Sequence, residues 1–268
     1  MDINISIVTY HTCFNEISQL IHELKKNDIV EERIFIIDNS SNNNLKKLKN
    51  NFHKINYLFL NKNLGYGKAH NIAIRNSIEK KSKYHIVLNP DIELLEDTLY
   101  KLFVFMEENK EVGLLSPKIL YKNGDLQNVY KLLPNPFNLI IRRFLPANLF
   151  EKYNNIYELA DLSFDNIHDI PSVSGCFMLF RVDVLKKIGA FDERYFMYLE
   201  DVDISRRVNQ VSRTIYYPFA TVTHGYNKES YRNYKLTIIH IISAIRYFNK
   251  WGWIFDKNRV LINKQIKK

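Results

Sequence analysis

The sequence predicts an α/β fold, with a mostly parallel sheet that carries helices on both faces and a C-terminal helical extension after it. Short β-rich runs alternate with amphipathic helical patterns through the first half of the chain. With 46% of its 268 residues apolar, the chain can bury a sizeable core without a disulfide or metal staple. The same composition excludes a disordered or collagen-like chain.

The elements follow in order. Residues 5–9 read as a strand, 15–26 as a helix with Ile17, Leu20, Ile21 and Leu24 on one face, and 33–37 as a second strand. The unit repeats with a short helix at 45–52, a strand at 56–60, a helix at 67–77 and a buried strand at 85–88. Residues 96–108 form a further amphipathic helix, in which Leu99, Leu102, Phe103 and Met106 are spaced for a core face. Beyond Lys118 the pattern loosens, and Pro134, Pro136 and Pro146 mark 133–170 as an irregular insertion within a first domain of residues 1–225. Then come a strand at 172–181, a short helix at 182–188, a helix at 201–209 and two strand-like pieces around Pro218 at 214–224. Residues 226–268 form the helical extension.

The net charge of +9 is unevenly spread. Residues 1–204 hold 25 Lys and Arg against 27 Asp and Glu, whereas residues 205–268 hold 13 against 2. A nearly neutral body with a basic, aromatic tail points to an anionic surface met from one end. A nucleic-acid partner is not expected, because the excess is confined to the tail and no recognised binding module is present. Asp2 follows Met1 with no basic stretch before an apolar run, so no secretory signal is expected. The two cysteines, Cys13 and Cys176, fit a reducing, cytoplasmic compartment.

In an open parallel sheet, ligands bind beyond the carboxyl ends of the strands. Four such ends are polar here: Thr9-Tyr10-His11, Asp38-Asn39-Ser40-Ser41, Asn61 to Gly67, and Asn89-Pro90-Asp91. Any one of them alone is ordinary turn chemistry. Asp38 can accept a hydrogen bond from a base imide, or cap the next helix. Gly65 and Gly67 let a backbone approach a diphosphate, although the three-glycine dinucleotide fingerprint is absent. Asp91 closes a buried strand as a ligand for Mg²⁺ or Mn²⁺ would, since such ions take few protein oxygens and more from phosphate. The helix dipole explains Glu200, Asp201 and Asp203 at a helix start, but not the aromatic cluster Phe191, Tyr195, Phe196 and Tyr198 before them. Those rings can desolvate a carboxylate for general-base work. His224 closes another strand and can ligate a metal.

Together these residues resemble glycosyltransferase family 2, and within it bacterial rhamnosyltransferase-like enzymes, over about residues 5–252. The matching pieces are Val8-Thr9-Tyr10, Asp38-Asn39-Ser40-Ser41, Asn63 to Gly67 with Asn71, Asn89-Pro90-Asp91, Ser174-Gly175-Cys176, Gly189 to Glu193, Glu200 to Asp203, and His224. The resemblance implies a GT-A type fold and inverting transfer of a sugar from a nucleotide diphosphate to an acceptor hydroxyl. It implies that Thr9, Tyr10, Asp38 and Asn39 hold the nucleotide and that Asn63, Gly65 and Asn71 line the donor pocket. Asn89 is expected at the ribose, Asp91 and His224 at Mg²⁺ or Mn²⁺, and Asp201 as the base with Glu200 beside it. Two departures stand out: His11 where relatives have Asn, and Asn89-Pro90-Asp91 where others have Asp-x-Asp.

The expected donor is dTDP-rhamnose, with UDP-hexoses and UDP-N-acetylhexosamine as alternatives, and the expected acceptor a saccharide or polyprenyl-diphosphate-linked saccharide in surface polysaccharide synthesis. The insertion would border the acceptor side. Tyr231, Tyr234, Tyr247, Phe248, Trp251, Trp253 and Phe255 interleave with Lys228, Arg232, Lys235, Arg246, Lys250, Lys257 and Arg259, which suits an anionic leaflet. Peripheral contact with the cytoplasmic membrane face is therefore expected, against the plainer reading of a helix that covers the sheet. The rival class is a non-catalytic nucleotide-sugar or nucleic-acid binding protein.

Overall fold

The computed structural model describes residues 1–139, 150–225 and 234–266. Its chain runs through β1 (Ile3–Thr9), α1 (Phe14–Lys26), β2 (Ile34–Asp38), α2 (Leu48–Asn51), β3 (Asn56–Phe59) and α3 (Tyr66–Glu79). It continues through β4 (Tyr84–Leu88), β5 (Ile92–Leu94), α4 (Thr98–Glu108), β6 (Val112–Leu120), α5 (Pro136–Leu139) and α6 (Glu151–Tyr157). After β7 (His168–Asp169) come β8 (Phe177–Arg181), α7 (Val182–Ile188), α8 (Glu200–Val208), β9 (Arg213–His224), α9 (Tyr234–Trp251) and α10 (Lys257–Gln265).

The strands form one sheet in the order β3-β2-β1-β4-β8-β6-β9-β5, with β7 also on β9. The half made of β3, β2, β1 and β4 is parallel throughout. Beyond β4 the sheet is mixed: β8 runs antiparallel to β4 and β6, and β5 and β7 antiparallel to β9, while β6 and β9 are parallel. Alternation along β1 separates the two layers. Ile3, Ile5 and Ile7 pack with Ile17, Leu20, Ile21 and Leu24 of α1, whereas Val8 packs with Ala69 and Ala73 of α3 on the other face. That second face also holds a buried polar network. Ser6 Oγ lies 2.7 Å from His70 Nδ1 and 2.9 Å from His85 Nε2, and Ser77 Oγ 2.7 Å from His85 Nδ1.

Three strands were not expected. β6 holds Gly113 and Pro117, both of which read as breakers, yet it is nine residues long. The prolines are tolerated because the β6–β9 register shifts there: Pro117 faces Tyr217 but Lys118 faces Thr221, so Pro218 falls in the bulge. Residues 214–224 are consequently part of one strand rather than two pieces. The strand expected from 172 begins only at Phe177, and residues 172–176 form a loop that enters the site. The segment 133–170 is less irregular than expected, since it carries α5, α6 and β7; Pro146 lies outside the described residues.

The helical extension packs on the body. Ala244, Tyr247 and Phe248 of α9 are buried against Leu139, Tyr195 and Leu199. Arg206 of α8 is buried with Asp256, just before α10, and its guanidinium sits 4.1 Å from the Trp251 ring. Tyr247 and Phe248, expected at a membrane surface, are thus interior residues, and Trp251 donates to Asp203 at 2.8 Å. Lys228, Tyr231 and Arg232 lie outside the described residues. Among the described residues, no helix is long and apolar enough to cross a membrane.

Candidate active site

Strand register assembles the site from distant pieces of chain. Leu88 pairs with Phe177, so Asn89 follows β4 at the point where Cys176 precedes β8, and the Asn89 N–H donates to the Cys176 carbonyl at 2.9 Å. Ile92 pairs with His224, which brings Asp91 beside that histidine. Asp91 Oδ1 lies 3.3 Å from His224 Nε2, and the Gly225 N–H donates to the Asp91 carbonyl at 3.0 Å.

The hydrogen bonds around His224 define what this pair can hold. Gln127 Nε2 donates to the His224 carbonyl at 2.8 Å, which leaves Gln127 Oε1, 3.0 Å from Nδ1, to accept the ring N–H. Nε2 then presents a lone pair, 3.3 Å from Asp91 Oδ1, that also accepts from Asn89 Nδ2 at 3.3 Å. An imidazole lone pair and a carboxylate oxygen facing one another, with the other ring nitrogen held by an acceptor, is a donor set that fits a divalent ion. Gln127 was not foreseen, and nothing in the sequence marks it.

On the opposite side stand Glu200 and Asp201. Leu199 and Tyr198, both with positive φ (67° and 71°), turn the chain sharply into α8. Asp201 accepts from the Gly175 N–H at 3.0 Å and the Val202 N–H at 2.8 Å. Burial raises both carboxyls above the ordinary range, Glu200 further, because it also feels the Asp201 charge and its Oε2 has no partner among the described residues. The two backbone donors and the helix N-terminus favour the charged form of Asp201. Of the two, Asp201 is therefore the more readily ionised. The third carboxylate of the cluster, Asp203, is occupied by Arg207, Lys250 and Trp251.

Tyr66 joins the two sides. Its hydroxyl donates to the Gly175 carbonyl at 2.5 Å and lies 3.1 Å from Asn89 Oδ1, while Gly175 donates to Asp201. Burial raises the phenol well above its usual value, so it stays a donor. Its backbone is fixed too: the Tyr66 N–H donates to the Phe196 carbonyl at 2.8 Å, and a Cβ on Gly65 would come within 2.2 Å of that same oxygen. Gly65, with φ of 86°, thus permits the close contact. Tyr66 was visible only as the residue between two glycines.

The remaining expected residues lie at the ends of β1 and β2. Thr9 is paired with Asp38 in the sheet, and its buried Oγ1 makes no hydrogen bond among the described residues. Asp38 is fully buried; it accepts from the Ser40 N–H at 3.0 Å and the Tyr57 hydroxyl at 2.8 Å, which raises the tyrosine's pKa further than burial alone. Tyr10 is exposed, with its ring edge-on to His11. Asn39 donates to the Gly65 carbonyl at 3.1 Å, tying β2 to the glycine loop. Two residues expected to line the donor pocket are engaged elsewhere. Asn63 Oδ1 accepts from the Gly65 N–H within its own turn, and Asn71 is buried with both ends of its amide bonded to the Phe191 backbone, so it clamps α3 to the loop before α8. Burial pushes the Cys176 thiol up to about 12, which excludes it as a nucleophile at neutral pH.

Solved structures define the class. The fold is similar to a mannosyltransferase from Pyrobaculum calidifontis in complex with GDP-Man and Mn²⁺ (TM-score 0.59, 14% identity, 91% of this chain and 64% of that one). It is also similar to S. aureus TarS 1-349 (TM-score 0.58, 16% identity, 100% of this chain and 71% of that one). This is a GT-A glycosyltransferase fold. The Glycosyl transferase family 2 profile matches residues 5–189, and the chain belongs to that family.

Curated relatives include the low-salt glycan biosynthesis hexosyltransferase Agl10 of Haloferax volcanii, 25% identical over 65% of this chain and 52% of its own. Another is the N-acetylglucosaminyl-diphospho-decaprenol L-rhamnosyltransferase of Mycobacterium tuberculosis, 28% identical over 60% of this chain and 56% of its own. The chain thus aligns with about half the length of these two relatives. Rhamnosyltransferase WbbL of Escherichia coli K12, 23% identical, is matched over 94% of this chain and 95% of its own.

Proposed function

We propose that the chain is an inverting transferase that moves L-rhamnose from dTDP-rhamnose to a hydroxyl of a saccharide carried on a polyprenyl diphosphate, with Mg²⁺ or Mn²⁺ at Asp91 and His224. The observation that carries this reading is the hydrogen-bonded run His224–Asn89–Tyr66–Gly175–Asp201, which joins the Asp91–His224 pair to the carboxylate at the start of α8. The rhamnosyltransferase names of two relatives support the sugar, and the decaprenol in one name supports the acceptor.

In this reading the nucleotide lies over the ends of β1 and β2, where the exposed Tyr10 ring gives a stacking face and the buried Thr9 and Asp38 support the loops that hold the base. Asn89 contacts the ribose. A divalent ion bound with the donor would neutralise charge that develops on the diphosphate. Asp201 takes the proton of the acceptor hydroxyl as its oxygen attacks the anomeric carbon; the carbon–oxygen bond to the diphosphate breaks, and configuration inverts. Neutral Glu200 keeps a second negative charge away from Asp201. Tyr66 and Gly175 hold the base at a fixed distance from the donor side.

The test is a panel of dTDP-rhamnose, UDP-glucose, UDP-galactose and UDP-N-acetylglucosamine, each with Mn²⁺, Mg²⁺ or EDTA, read by thermal shift and product formation. Stabilisation and turnover with dTDP-rhamnose that EDTA abolishes are expected. Turnover of a UDP sugar alone would move the donor assignment to a hexose. No response to any donor would overturn the reading.

A further inference from the structure

We propose that the outer face of α9, with the turn that follows it, docks on the anionic surface of a phospholipid bilayer. The docking surface stands on the helix alone; its bearing on the acceptor rests on the transferase reading above.

The helix divides into two faces. Ser243, Ala244, Tyr247 and Phe248 point into the body, while Ile238, Ile242 and Ile245 remain exposed on the opposite side. Their i, i+4, i+7 spacing makes one continuous stripe. Asn249 extends the same stripe, and its Oδ1 accepts from Trp253 Nε1 at 2.9 Å, which carries the exposed surface into the turn. There Ile254 is 75% exposed and Phe255 94%. Both lie next to Asp256, whose side chain is buried on Arg206, so burial of a neighbour fixes the turn that presents them.

Charge selects the occupant. Residues 234–266 carry Lys235, Arg246, Lys257, Arg259 and Lys264, with Lys250 paired to Asp192 and Asp203 of the body, against a single carboxylate, Asp256. That carboxylate is interior, so the surface of this segment offers bases and apolar side chains and no acid. Isoleucine and aromatic side chains flanked by Lys and Arg suit the headgroup region of an anionic leaflet, where a helix lies in the interface without crossing it. A second copy meeting this face through a two-fold axis would set bases against bases, with no acid in the segment to neutralise them.

The inner face of the same helix packs near the site. Ser243 donates to the Met197 carbonyl at 2.8 Å, the His240 and Tyr198 rings are 5.4 Å apart, and Lys250 and Trp251 bind Asp203 of α8, the helix that begins with Glu200 and Asp201. A bilayer on the outer face would therefore lie across α9 from the carboxylates at the start of α8.

The experiment is flotation of the full chain with vesicles of phosphatidylcholine alone and of phosphatidylcholine with phosphatidylglycerol. Wild type is expected to float with the mixed vesicles, less so at high salt and little with the neutral ones. The variants I242S/I245S and I254S/F255S should each lower partitioning about tenfold or more while keeping the melting temperature, since none of these side chains is buried. K235E/K257E should lower it in the mixed vesicles alone. Wild type that fails to float, or variants that float as well as wild type, would overturn the proposal. So would a dimer by light scattering that I242S/I245S dissolves, with no flotation. Donor hydrolysis measured on the same preparations separates the two readings: hydrolysis without flotation removes only the docking surface, and flotation without hydrolysis only the transferase assignment.

Discussion

Asp201 and Glu200 are adjacent, the glutamate buried and the aspartate half-buried, and their surroundings raise the glutamate's pKa further. Asp201→Asn keeps the two backbone donors' geometry but cannot take a proton, so kcat should fall by about 10²–10⁴ with the donor KM little changed; steady-state kinetics checks this. Glu200→Gln addresses the other half of the pair. A carboxyl whose folded pKa is raised binds more protons folded than unfolded, so wild type loses stability as pH rises above the ordinary glutamate range. The glutamine variant does not titrate there, and its melting temperature should gain on wild type between about pH 4 and 7. At the Asp91–His224 pair proposed to hold the ion, Gln127→Leu removes the acceptor that orients His224 and should weaken Mn²⁺ affinity about 10–100-fold, measured by calorimetry. These roles differ in legibility. Asp38 and Asp91 stand out because each follows an apolar run, whereas Gln127 matters only because its amide meets a histidine 97 residues away.

At the scale of elements, the tail and α8 are tied through the ion pair between Arg206 and Asp256. Asp256→Ala leaves a guanidinium buried with no carboxylate, and should cost about 3–5 kcal/mol in chemical denaturation. The same periodic pattern that predicts a helix in the tail does not say which stripe faces inward. Tyr247 and Phe248 face inward because Leu139, Tyr195 and Leu199 supply an apolar seat, and the isoleucines are left outside. A similar limit hid β6. Its apolar residues are legible, but its proline is acceptable only opposite a bulge in a strand a hundred residues downstream.

At the scale of the molecule, the parallel half of the sheet rests on buried polar groups as well as aliphatic ones. Burial lowers His85 to about 3 and His70 well below its ordinary value, so both are neutral in the fold. The unfolded chain takes up protons near the ordinary histidine value of 6.5 that the folded chain refuses, so this stability is present above pH 6.5 and lost as the pH falls toward 3. Melting temperatures should fall between pH 7 and 5, and His85→Gln should flatten that slope even if it melts lower throughout. An unchanged slope would exclude this histidine as its source.

The sequence by itself determined the class of fold, the order of elements through β4, and the polar strand ends at Thr9, Asp38 and Asn89–Asp91. It could do so because periodicity and turn chemistry are local properties, written within a few residues of where they act. Only the tertiary structure decided that Asn71 is a clamp, that Tyr66 bridges Asn89 to the Gly175–Asp201 contact, that Gln127 orients His224, and which face of the tail is left open. Each of those depends on strand register or helix rotation, which arise from contacts between residues far apart in the chain.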